Sequence, residues 1–345
     1  MDPSLFNSAF MLNGVSFSVE TLLLSSKTDN PDFFQFLKQW TSKSSTIELY
    51  TSGSTGLPKK IHISKSKMVI SAKRTASFLN LQPKDKALCC LPFNYIAGKM
   101  MVVRALVLGL DLYLTKPSKN PLKTIDTNFD FVAFTPYQLD HSLNQLNKIK
   151  TLIVGGGPIS EKTKSFLYKN KTNVYETFGM TETVSHIALK NISKGNQEFK
   201  ALEGVRFETE NNCLKIFCDS ILKSPITTKD LVELVSEKKF IWIGREDFVI
   251  NSGAIKTYPE ELERKLSQFF SIPFIILGLP DENLGEKITI IFEGKTPCNF
   301  KDSIKALSSF ERPKQVVNFD VFPRNNNKIL RKNILNKILK SYGSN

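Results

Sequence analysis

Residues 50–60 read Tyr50-Thr-Ser-Gly-Ser-Thr-Gly-Leu-Pro-Lys-Lys60 and combine two glycines, four serine or threonine hydroxyls and two lysines. Glycines let backbone N–H groups turn toward an anion, hydroxyls add donors, and Lys59 or Lys60 adds positive charge. The stretch predicts a phosphate-binding loop, although the spacing differs from the Walker A pattern and a flexible turn after a strand also explains the glycines. The candidate binding residues are Thr51, Ser52, Gly53, Ser54, Thr55, Gly56 and Lys59.

Downstream of this loop, helical patterns alternate with short apolar runs, which is typical of βαβ units on a largely parallel sheet. Ligands of such sheets collect at the carboxyl ends of the strands. Two glycine-bearing loops follow predicted strands in this way, Gly155-Gly156-Gly157 and Phe178-Gly179. The predicted helices are 66–80, 98–109, 136–146 and 160–169, and the predicted strands are 87–91, 111–114, 131–134 and 151–154.

The predicted elements of the second half of the chain differ from those of the first half. Short predicted strands at 213–218, 231–235 and 240–243 suggest a small β unit. A further alternation of helices and strands runs from 259 to 340 and ends in a predicted helix at 329–340. We therefore expect an α/β protein with a large N-terminal domain of mostly parallel sheets flanked by helices, plus that β unit, and a small mobile α+β C-terminal domain. The expected boundaries are 1–244, a hinge at 245–251, and 252–345.

Composition narrows the classes of function. The chain has 345 residues, 41% of them hydrophobic, and a formal net charge of +14, which favours anionic partners. Its lysines are dispersed rather than gathered with aromatic residues, which disfavours nucleic-acid binding. Five cysteines without metal-type spacing indicate a reducing, cytoplasmic location, and no stretch reaches the roughly 20 apolar residues of a membrane span. A monomer and a homodimer both remain open.

Four further segments follow the opening loop in a fixed order. They are Tyr175-Glu-Thr-Phe-Gly-Met-Thr-Glu-Thr183, Thr227-Thr-Lys-Asp-Leu231, Gly244-Arg-Glu-Asp247 with Ser252-Gly253, and Pro323-Arg-Asn-Asn-Asn-Lys328. Together the five segments resemble the acyl-adenylate-forming superfamily of acyl-CoA synthetases, luciferases and adenylation domains, over nearly all of the chain from Tyr50 onward. The resemblance implies a ligase that uses ATP, Mg²⁺ and CoA and activates a small-molecule carboxylic acid.

Residues of the first half receive roles from this resemblance. Glu182 is expected to hold Mg²⁺, a role that suits a carboxylate between two threonines on a glycine turn, and Thr181 to contact phosphate. Phe178 offers an aromatic face for adenine, although an aromatic side chain beside glycine is also typical of a core. The three glycines 155–157 would let the nucleotide approach the backbone, or form only a tight turn.

Residues of the second half are expected to complete the nucleotide site. Asp230 would accept hydrogen bonds from the ribose hydroxyls, or form a surface ion pair, and Arg245 would donate toward ribose or phosphate. Asp247 matches the hinge position of the family, and Ser252-Gly253 matches the segment that approaches the nucleotide in the thioester step.

Lys328 is the expected catalytic lysine. Attack of a carboxylate on the α-phosphorus of ATP builds negative charge that a mobile ammonium group would stabilise. The chain departs from the family here, because asparagine replaces the usual glycine before this lysine and the loop is one residue shorter. Asparagine tolerates positive φ and can replace glycine in such a turn.

The acid is suggested by Gly179-Met-Thr-Glu-Thr-Val-Ser-His-Ile187, which is similar to the motif of o-succinylbenzoate–CoA ligases of menaquinone synthesis. Ser185 and His186 would then lie near the acyl pocket, although His186 could also be structural, or the pair part of a hydrolytic triad. Lys99 or Arg104 could pair with a second substrate carboxylate.

Several alternatives stay open. Only 49 residues precede Tyr50, fewer than is usual in the family, which suggests a trimmed acyl pocket and a compact substrate. The chain could activate another aryl or acyl acid, load a carrier protein instead of CoA, or be a degenerate nucleotide-binding protein without catalysis.

Overall fold

The computed structural model describes residues 5–51, 59–325 and 328–342, except for the side chains at 28, 29, 50, 51, 59, 325, 328 and 342. The chain divides into two compact units. Unit 1 comprises Met1–Ile159, Phe166–Arg206 and Phe217–Ile226, and unit 2 comprises Ser160–Ser165, Phe207–Ile216 and Thr227–Asn345. The domain boundaries expected at 245–251 stay a prediction.

The first 201 residues contain eleven strands within the described ranges. They are β1 (Met11–Leu12), β2 (Val15–Ser16), β3 (Thr46–Thr51), β4 (Lys59–Ser64), β5 (Lys86–Cys89), β6 (Asp111–Leu114), β7 (Phe129–Phe134), β8 (Ile149–Val154), β9 (Asn173–Gly179), β10 (His186–Asn191) and β11 (Phe199–Ala201). The helices of the same region are α1 (Val19–Asp29), α2 (Pro31–Thr41), α3 (Lys65–Leu79), α4 (Ile96–Leu108), α5 (Pro136–Ser142) and α6 (Glu161–Leu167).

The large sheet of unit 1 is mostly parallel, as the alternating pattern predicts. Strands β1, β6, β5, β7, β8 and β9 run parallel in that spatial order, and β10 and β11 extend the sheet antiparallel beyond β9. In the pairing of β8 with β9, Val154 lies opposite Glu176. The loops that follow these two strands therefore leave the sheet side by side.

Helix α4 is buried around its whole circumference, because its sequence Ile96–Leu108 is apolar apart from Lys99 and Arg104. Its charged Arg104 is only 2% exposed. The predicted helix at 136–146 ends earlier, at Ser142, and continues as a 3-10 turn, Leu143–Lys148, before the chain enters β8. Among the described residues, no helix has the length and apolarity that crossing a lipid bilayer requires.

In the part of residues 202–345 that the structure describes, there are eleven further strands and three α-helices. The strands are β12 (Arg206–Glu210), β13 (Cys213–Phe217), β14 (Ile226–Ser236), β15 (Lys239–Arg245), β16 (Ile250–Ser252), β17 (Ile255–Thr257), β18 (Phe274–Asp281), β19 (Gly285–Glu293), β20 (Gln315–Phe319), β21 (Arg324–Asn325) and β22 (Lys328–Ile329). The helices are α7 (Pro259–Leu266), α8 (Phe300–Ser303) and α9 (Arg331–Tyr342).

The sheet of β16 to β20 carries a hydrophobic core on each face, because alternate residues of a strand point to opposite sides. On one face Ile276 packs in a cluster with Leu262 and Leu266 of α7. On the other face Ile275 and its alternate neighbours pack in a cluster with residues of α9. Residues Lys328–Ile329 form a strand, so the last helix begins two residues later than the predicted start at 329.

Candidate active site

The predicted phosphate loop connects the two strands of a hairpin. Strands β3 and β4 pair antiparallel, and Thr51 lies opposite Lys59. The loop residues Ser52, Gly53, Ser54, Thr55 and Gly56 lie outside the described residues, as do the side chains of Thr51 and Lys59. The hairpin register thus places the two ends of the predicted loop, Thr51 and Lys59, next to each other.

Gly155 lies at the carboxyl end of β8 and approaches β9 closely. Its N–H donates to the Phe134 carbonyl at 3.1 Å, and a Cβ atom at this position would lie 2.5 Å from Oγ1 of Thr177. Gly156 has φ +94°, a conformation that side chains with a Cβ rarely adopt. These glycines are therefore required by close packing and by the turn, and they leave backbone exposed at the predicted nucleotide edge.

A tight turn carries Glu182 between β9 and β10. Gly179 opens it, because a Cβ atom there would lie 2.3 Å from the Ser185 carbonyl oxygen. The fully buried Thr183 closes it: its hydroxyl accepts from the Met180 N–H at 3.0 Å and donates toward the carbonyls of Met180 and Ser185 at 2.9 and 2.8 Å. The turn is thereby fixed from inside.

Backbone strain accompanies this turn. Val184 has φ +70° and is buried, an unusual conformation for a β-branched residue that costs on the order of 1–3 kcal/mol. As a result Thr181 and the exposed Glu182 face outward while Ser185 and His186 turn back into the protein.

Glu182 fits the metal role that the sequence suggests. Its carboxylate is exposed and makes no hydrogen bond or ion pair to another described residue. Within the described ranges, no group of three or more His, Cys, Asp or Glu side chains could hold a metal ion. A single carboxylate suffices for Mg²⁺ when substrate phosphates and water supply the remaining ligands.

Phe178, the residue expected to face adenine, is half-buried near the carboxyl end of β9. Its ring centroid lies 5.7 Å from that of Phe199 on β11. This neighbour restricts the orientation of the Phe178 ring.

Behind the turn lies a buried polar cluster of Ser185, His186, Arg104 and Thr75. Arg104 Nη2 donates to Ser185 Oγ at 3.0 Å, and its Nε donates to Thr75 Oγ1 at 3.3 Å. His186 Nε2 lies 3.0 Å from Thr75 Oγ1, and its Nδ1 lies 3.5 Å from Arg104 Nη2. The contacts of His186 are therefore with Thr75 and Arg104, which gives no support to a hydrolytic triad.

The charges in this cluster are unbalanced. Burial lowers the pKa of Arg104 to about 10, so the guanidinium stays charged at neutral pH. Burial and the Arg104 charge hold the pKa of His186 well below its usual value, so the ring is neutral. No described Asp or Glu pairs with Arg104, and a buried charge without a counter-ion costs several kcal/mol.

Lys99, the other candidate for a substrate carboxylate, is engaged elsewhere. Its Nζ donates to the Glu48 carbonyl at 3.2 Å and lies 5.8 Å from the centroid of the Phe36 ring. Of the two candidates, Arg104 is the one that contacts the predicted acyl-pocket residues Ser185 and His186.

Unit 2 holds Asp230 and Arg245 opposite each other on β14 and β15. Asp230 is 8% exposed, and its Oδ1 accepts from the indole Nε1 of Trp242 at 3.0 Å, with Arg245 Nη1 3.7 Å away. The other carboxylate oxygen of Asp230 accepts no hydrogen bond from a described residue. It is thus available for a hydroxyl group of a ligand.

Asp247, the predicted hinge residue, is held by two cations. Its Oδ1 accepts from Arg245 Nε at 3.0 Å, and its Oδ2 lies 3.8 Å from Lys332 Nζ. Burial alone would raise the pKa of Asp247, but the hydrogen bond and charge of Arg245 outweigh burial and lower it.

The Ser252-Gly253 segment forms the turn of the β16–β17 hairpin. Gly253 and Ala254 have φ +58° and +65°, and the Gly253 N–H donates to the Leu284 carbonyl at 2.9 Å. Lys328 lies on β22, opposite Asn325 of β21. Its side chain and residues 326–327 are outside the described part of the chain.

The structure therefore brings together two groups of predicted residues, each within one unit. Gly155, Phe178 and the 179–186 turn meet at the carboxyl edge of the unit 1 sheet, and Asp230, Arg245 and Asp247 meet in unit 2.

Trp242 and Thr75 were missed by sequence reasoning, because an indole in a β pattern and a threonine in a helix carry no functional signal by themselves.

Comparison with known proteins identifies the family. A profile described as AMP-binding enzyme matches residues 16–205. The chain is 24% identical over 329 residues to 2-succinylbenzoate–CoA ligase of Oceanobacillus iheyensis, with 83% of this chain and 68% of the relative covered.

Two solved structures have the same fold. An acyl-CoA synthetase (AMP-forming)/AMP-acid ligase II-like protein from Dyadobacter fermentans is 31% identical, with a TM-score of 0.62 and coverage of 92% of this chain and 98% of that chain. The o-succinylbenzoate coenzyme A synthetase of Bacillus subtilis, solved with ATP and magnesium ion, is 19% identical, with a TM-score of 0.73 and coverage of 93% and 82%. Since the family profile spans more than half of the chain, this protein belongs to the AMP-binding enzyme family, as an AMP-forming ligase of the acyl-CoA synthetase type.

Proposed function

We propose that this AMP-forming acid–CoA ligase activates o-succinylbenzoate. In the first half-reaction one substrate carboxylate attacks the α-phosphorus of ATP, forms the acyl-adenylate and releases pyrophosphate. In the second, the thiol of CoA attacks the acyl carbon, loses its proton, and releases AMP. The net products are the CoA thioester, AMP and pyrophosphate.

The single observation that carries the choice of acid is the buried, unpaired guanidinium of Arg104 beside Ser185. o-Succinylbenzoate has two carboxylates, so one remains negative while the other reacts. A carboxylate that approached Ser185 would meet Arg104 Nη2, which lies 3.0 Å from the hydroxyl. Charge-assisted hydrogen bonds of this kind are stronger than neutral ones and would offset the desolvation of both ions.

The other members of the cluster favour the same ligand. His186 is neutral, so it adds no second positive charge, and its ring can line the acyl pocket as a hydrogen-bonding partner. Ser185 adds a hydroxyl that can donate to a carboxylate oxygen. An apolar acid would leave the Arg104 charge unpaired, which argues against a simple fatty acid as the preferred substrate.

For the nucleotide, the residues of each unit have separate tasks. The free oxygen of Asp230 would accept from a ribose hydroxyl while Trp242 and Arg245 hold the other oxygen. Phe178 would offer its ring to adenine. Glu182 would hold Mg²⁺, which when bound neutralises phosphate charge.

Lys328 would stabilise the charge that develops as pyrophosphate leaves. Only the first half-reaction builds that charge, since the second releases AMP. In the second, Ser252-Gly253 would approach the nucleotide after the expected C-terminal domain, residues 252–345, turns about Asp247. Lys328 and Asp247 thus act in different steps.

The test is thioester formation, followed by mass spectrometry, with o-succinylbenzoate, benzoate and a medium-chain fatty acid at equal concentrations. We expect the CoA thioester of o-succinylbenzoate to dominate, because only this acid brings a second carboxylate to Arg104. Benzoate and the fatty acid control for the aromatic ring and for chain length separately. A preference for either of them would contradict the proposal.

A further inference from the structure

Lys328 lies on a hairpin that is too small to fix its own position. Strands β21 and β22 have two residues each, with Arg324 opposite Ile329 and Asn325 opposite Lys328. An isolated two-stranded hairpin is marginally stable at best. The location of Lys328 must therefore be set by contacts that flank the hairpin.

Before the hairpin, Arg324 forms a two-pronged ion pair with Glu293 at the end of β19. Its Nη1 donates to Glu293 Oε1 at 2.6 Å and its Nη2 to Oε2 at 2.5 Å. Oε1 also accepts from the Phe322 N–H at 2.8 Å. The Arg324 hydrogen bonds, together with its charge, lower the pKa of Glu293, so the pair stays ionised at neutral pH.

After the hairpin, Arg331 forms a second ion pair at the first residue of α9. Its Nη2 pairs with Glu263 of α7, and its Nη1 donates to the Ile276 carbonyl of β18 at 3.2 Å. Its guanidinium carbon lies 5.3 Å from the centroid of the Phe248 ring. Both partners are largely buried, with side chains 16% and 17% exposed.

Apolar contacts bind the same two flanks to one core. Phe322 is 2% exposed and belongs to the cluster that contains Ile334 of α9, and Ile329 packs against that cluster. A hydrogen bond from the Leu330 N–H to the Pro323 carbonyl, at 2.8 Å, closes the base of the hairpin. Apolar packing and this hydrogen bond therefore already hold the two ends of the hairpin together, and the ion pairs add directional contacts on either side.

We propose that the Arg324–Glu293 ion pair is a positioning device that holds the Lys328 hairpin in register for the adenylation half-reaction, while Arg331–Glu263 anchors the start of α9 on the other side of the hairpin. This inference rests on the role proposed above for Lys328. Apolar packing of Phe322 buries the start of the hairpin, but apolar contacts are non-directional and do not by themselves prevent rotation. The forked guanidinium–carboxylate pair is directional and resists that rotation.

The consequence is selective for one half-reaction. Misplacement of a catalytic group by about 1 Å can reduce a rate on the order of 100-fold. Lys328 acts where pyrophosphate charge develops, so loosening its hairpin lowers adenylation. Attack of CoA on a finished acyl-adenylate does not use this charge and proceeds.

The experiment measures both half-reactions in Arg324→Ala, Arg324→Lys and Glu293→Gln. Acid-dependent ATP–pyrophosphate exchange reports adenylation, and CoA thioester formation from the preformed acyl-adenylate reports the second step. The adenylate is that of the acid preferred in the panel above. Lys305→Ala, which breaks the exposed 2.7 Å pair with Asp302 in the same unit, is the matched control.

We expect exchange in Arg324→Ala to fall about 10-fold to 100-fold through kcat, with thioester formation within about twofold of the wild type. Arg324→Lys keeps the positive charge but cannot form the bidentate ion pair, so it should retain more exchange activity than Arg324→Ala. An equal loss of activity in both half-reactions, together with a lower Tm, would show that the Arg324–Glu293 pair has only a structural role. An unchanged rate of ATP–pyrophosphate exchange would overturn the proposal.

Lys328→Ala separates this inference from the proposed function. If Lys328→Ala keeps its exchange activity, the catalytic role of Lys328 is wrong. If Lys328→Ala loses exchange while Arg324→Ala and Glu293→Gln retain it, the lysine role stands and the positioning proposal alone fails.

Discussion

Nη2 of Arg104 lies 3.0 Å from Oγ of Ser185 and joins the buried helix α4 to the turn between β9 and β10. The guanidinium is 2% exposed and has no carboxylate partner among the described residues. An unpaired buried charge lowers the free energy of unfolding until a ligand compensates it. Proteins tolerate such a loss of stability at functional sites. If Arg104 binds the second carboxylate as proposed, it would link folding stability to binding of the acid.

Replacement of Arg104 should separate stability from acid binding. In Arg104→Met, we expect KM for o-succinylbenzoate to rise about 10-fold to 100-fold, because hydrogen bonds to charged groups contribute about 1.5–3 kcal/mol. Removal of an uncompensated buried charge should leave Tm unchanged or raise it. Steady-state kinetics with varied acid and thermal unfolding without ligand measure the two effects.

Arg74→Ala is the control for Arg104→Met. Arg74 lies on α3 in the same unit and donates to Cys218 Sγ and Ser220 Oγ, neither of which belongs to the cluster around Arg104. We expect KM for the acid to stay near the wild-type value in this variant. A fall in Tm of Arg104→Met with unchanged KM would show that Arg104 only supports the fold.

Trp242 should act on ATP through Asp230. Trp242→Phe keeps the ring but removes the Nε1 donor that lies 3.0 Å from Asp230 Oδ1. Asp230 would then lose part of its orientation, and we expect KM for ATP to rise roughly tenfold, consistent with about 1.5 kcal/mol for a hydrogen bond to a charged group. Isothermal titration with AMP should report the same loss, and KM for the acid, measured in parallel, should not change. An unchanged affinity of Trp242→Phe for AMP would show that Trp242 does not contribute to nucleotide binding.

His186 should make the folded protein sensitive to acid. Its pKa in the folded state is well below the unfolded value, so the folded protein does not take up this proton while the unfolded chain does. As pH falls below about 6.5, the free energy of unfolding should decrease by up to about 1.4 kcal/mol per pH unit from this group alone. Above that pH the contribution vanishes, because both states are neutral.

Urea unfolding at pH 5, 6, 7 and 8 tests this sign. His186→Gln should show a smaller loss of stability between pH 6.5 and 5 than the wild type. His141→Gln is the matched control, since His141 is exposed and its Nδ1 bonds only the Tyr137 carbonyl at 2.8 Å. Equal pH dependence in wild type and His186→Gln would contradict the neutral state of His186.

The fold could be predicted largely because strand and helix periods in the sequence are local signals. The parallel direction of β5, β7, β8 and β9 follows from the alternation of strands with helices, and strand 111–114 was predicted with the observed bounds, Asp111–Leu114. Predicted ends failed where tertiary contacts override propensity. Lys328–Ile329 pair with β21 instead of beginning α9.

The site could be predicted only in part, because its chemistry depends on contacts between residues far apart in sequence. Glycine and threonine spacing revealed the turn around Glu182, but no spacing connects Thr75 with His186, 111 positions later. The unpaired state of Arg104 likewise depends on what is absent around it among the described residues. The residue types could be read from the amino-acid sequence, whereas the charge balance around Arg104 is visible only in the folded arrangement.

Thr183 should control the turn that presents Glu182. Thr183→Val keeps the side-chain shape but leaves the Met180 N–H without the acceptor it now has at 3.0 Å. An unsatisfied buried donor costs about 1–3 kcal/mol, so we expect a lower Tm and a higher Mg²⁺ concentration for half-maximal adenylation, because Glu182 loses its fixed direction. Thr183→Ser retains the hydroxyl and should stay close to wild type in its Mg²⁺ dependence. If Thr183→Val loses stability but keeps the wild-type Mg²⁺ dependence, the turn does not direct Glu182 toward the metal.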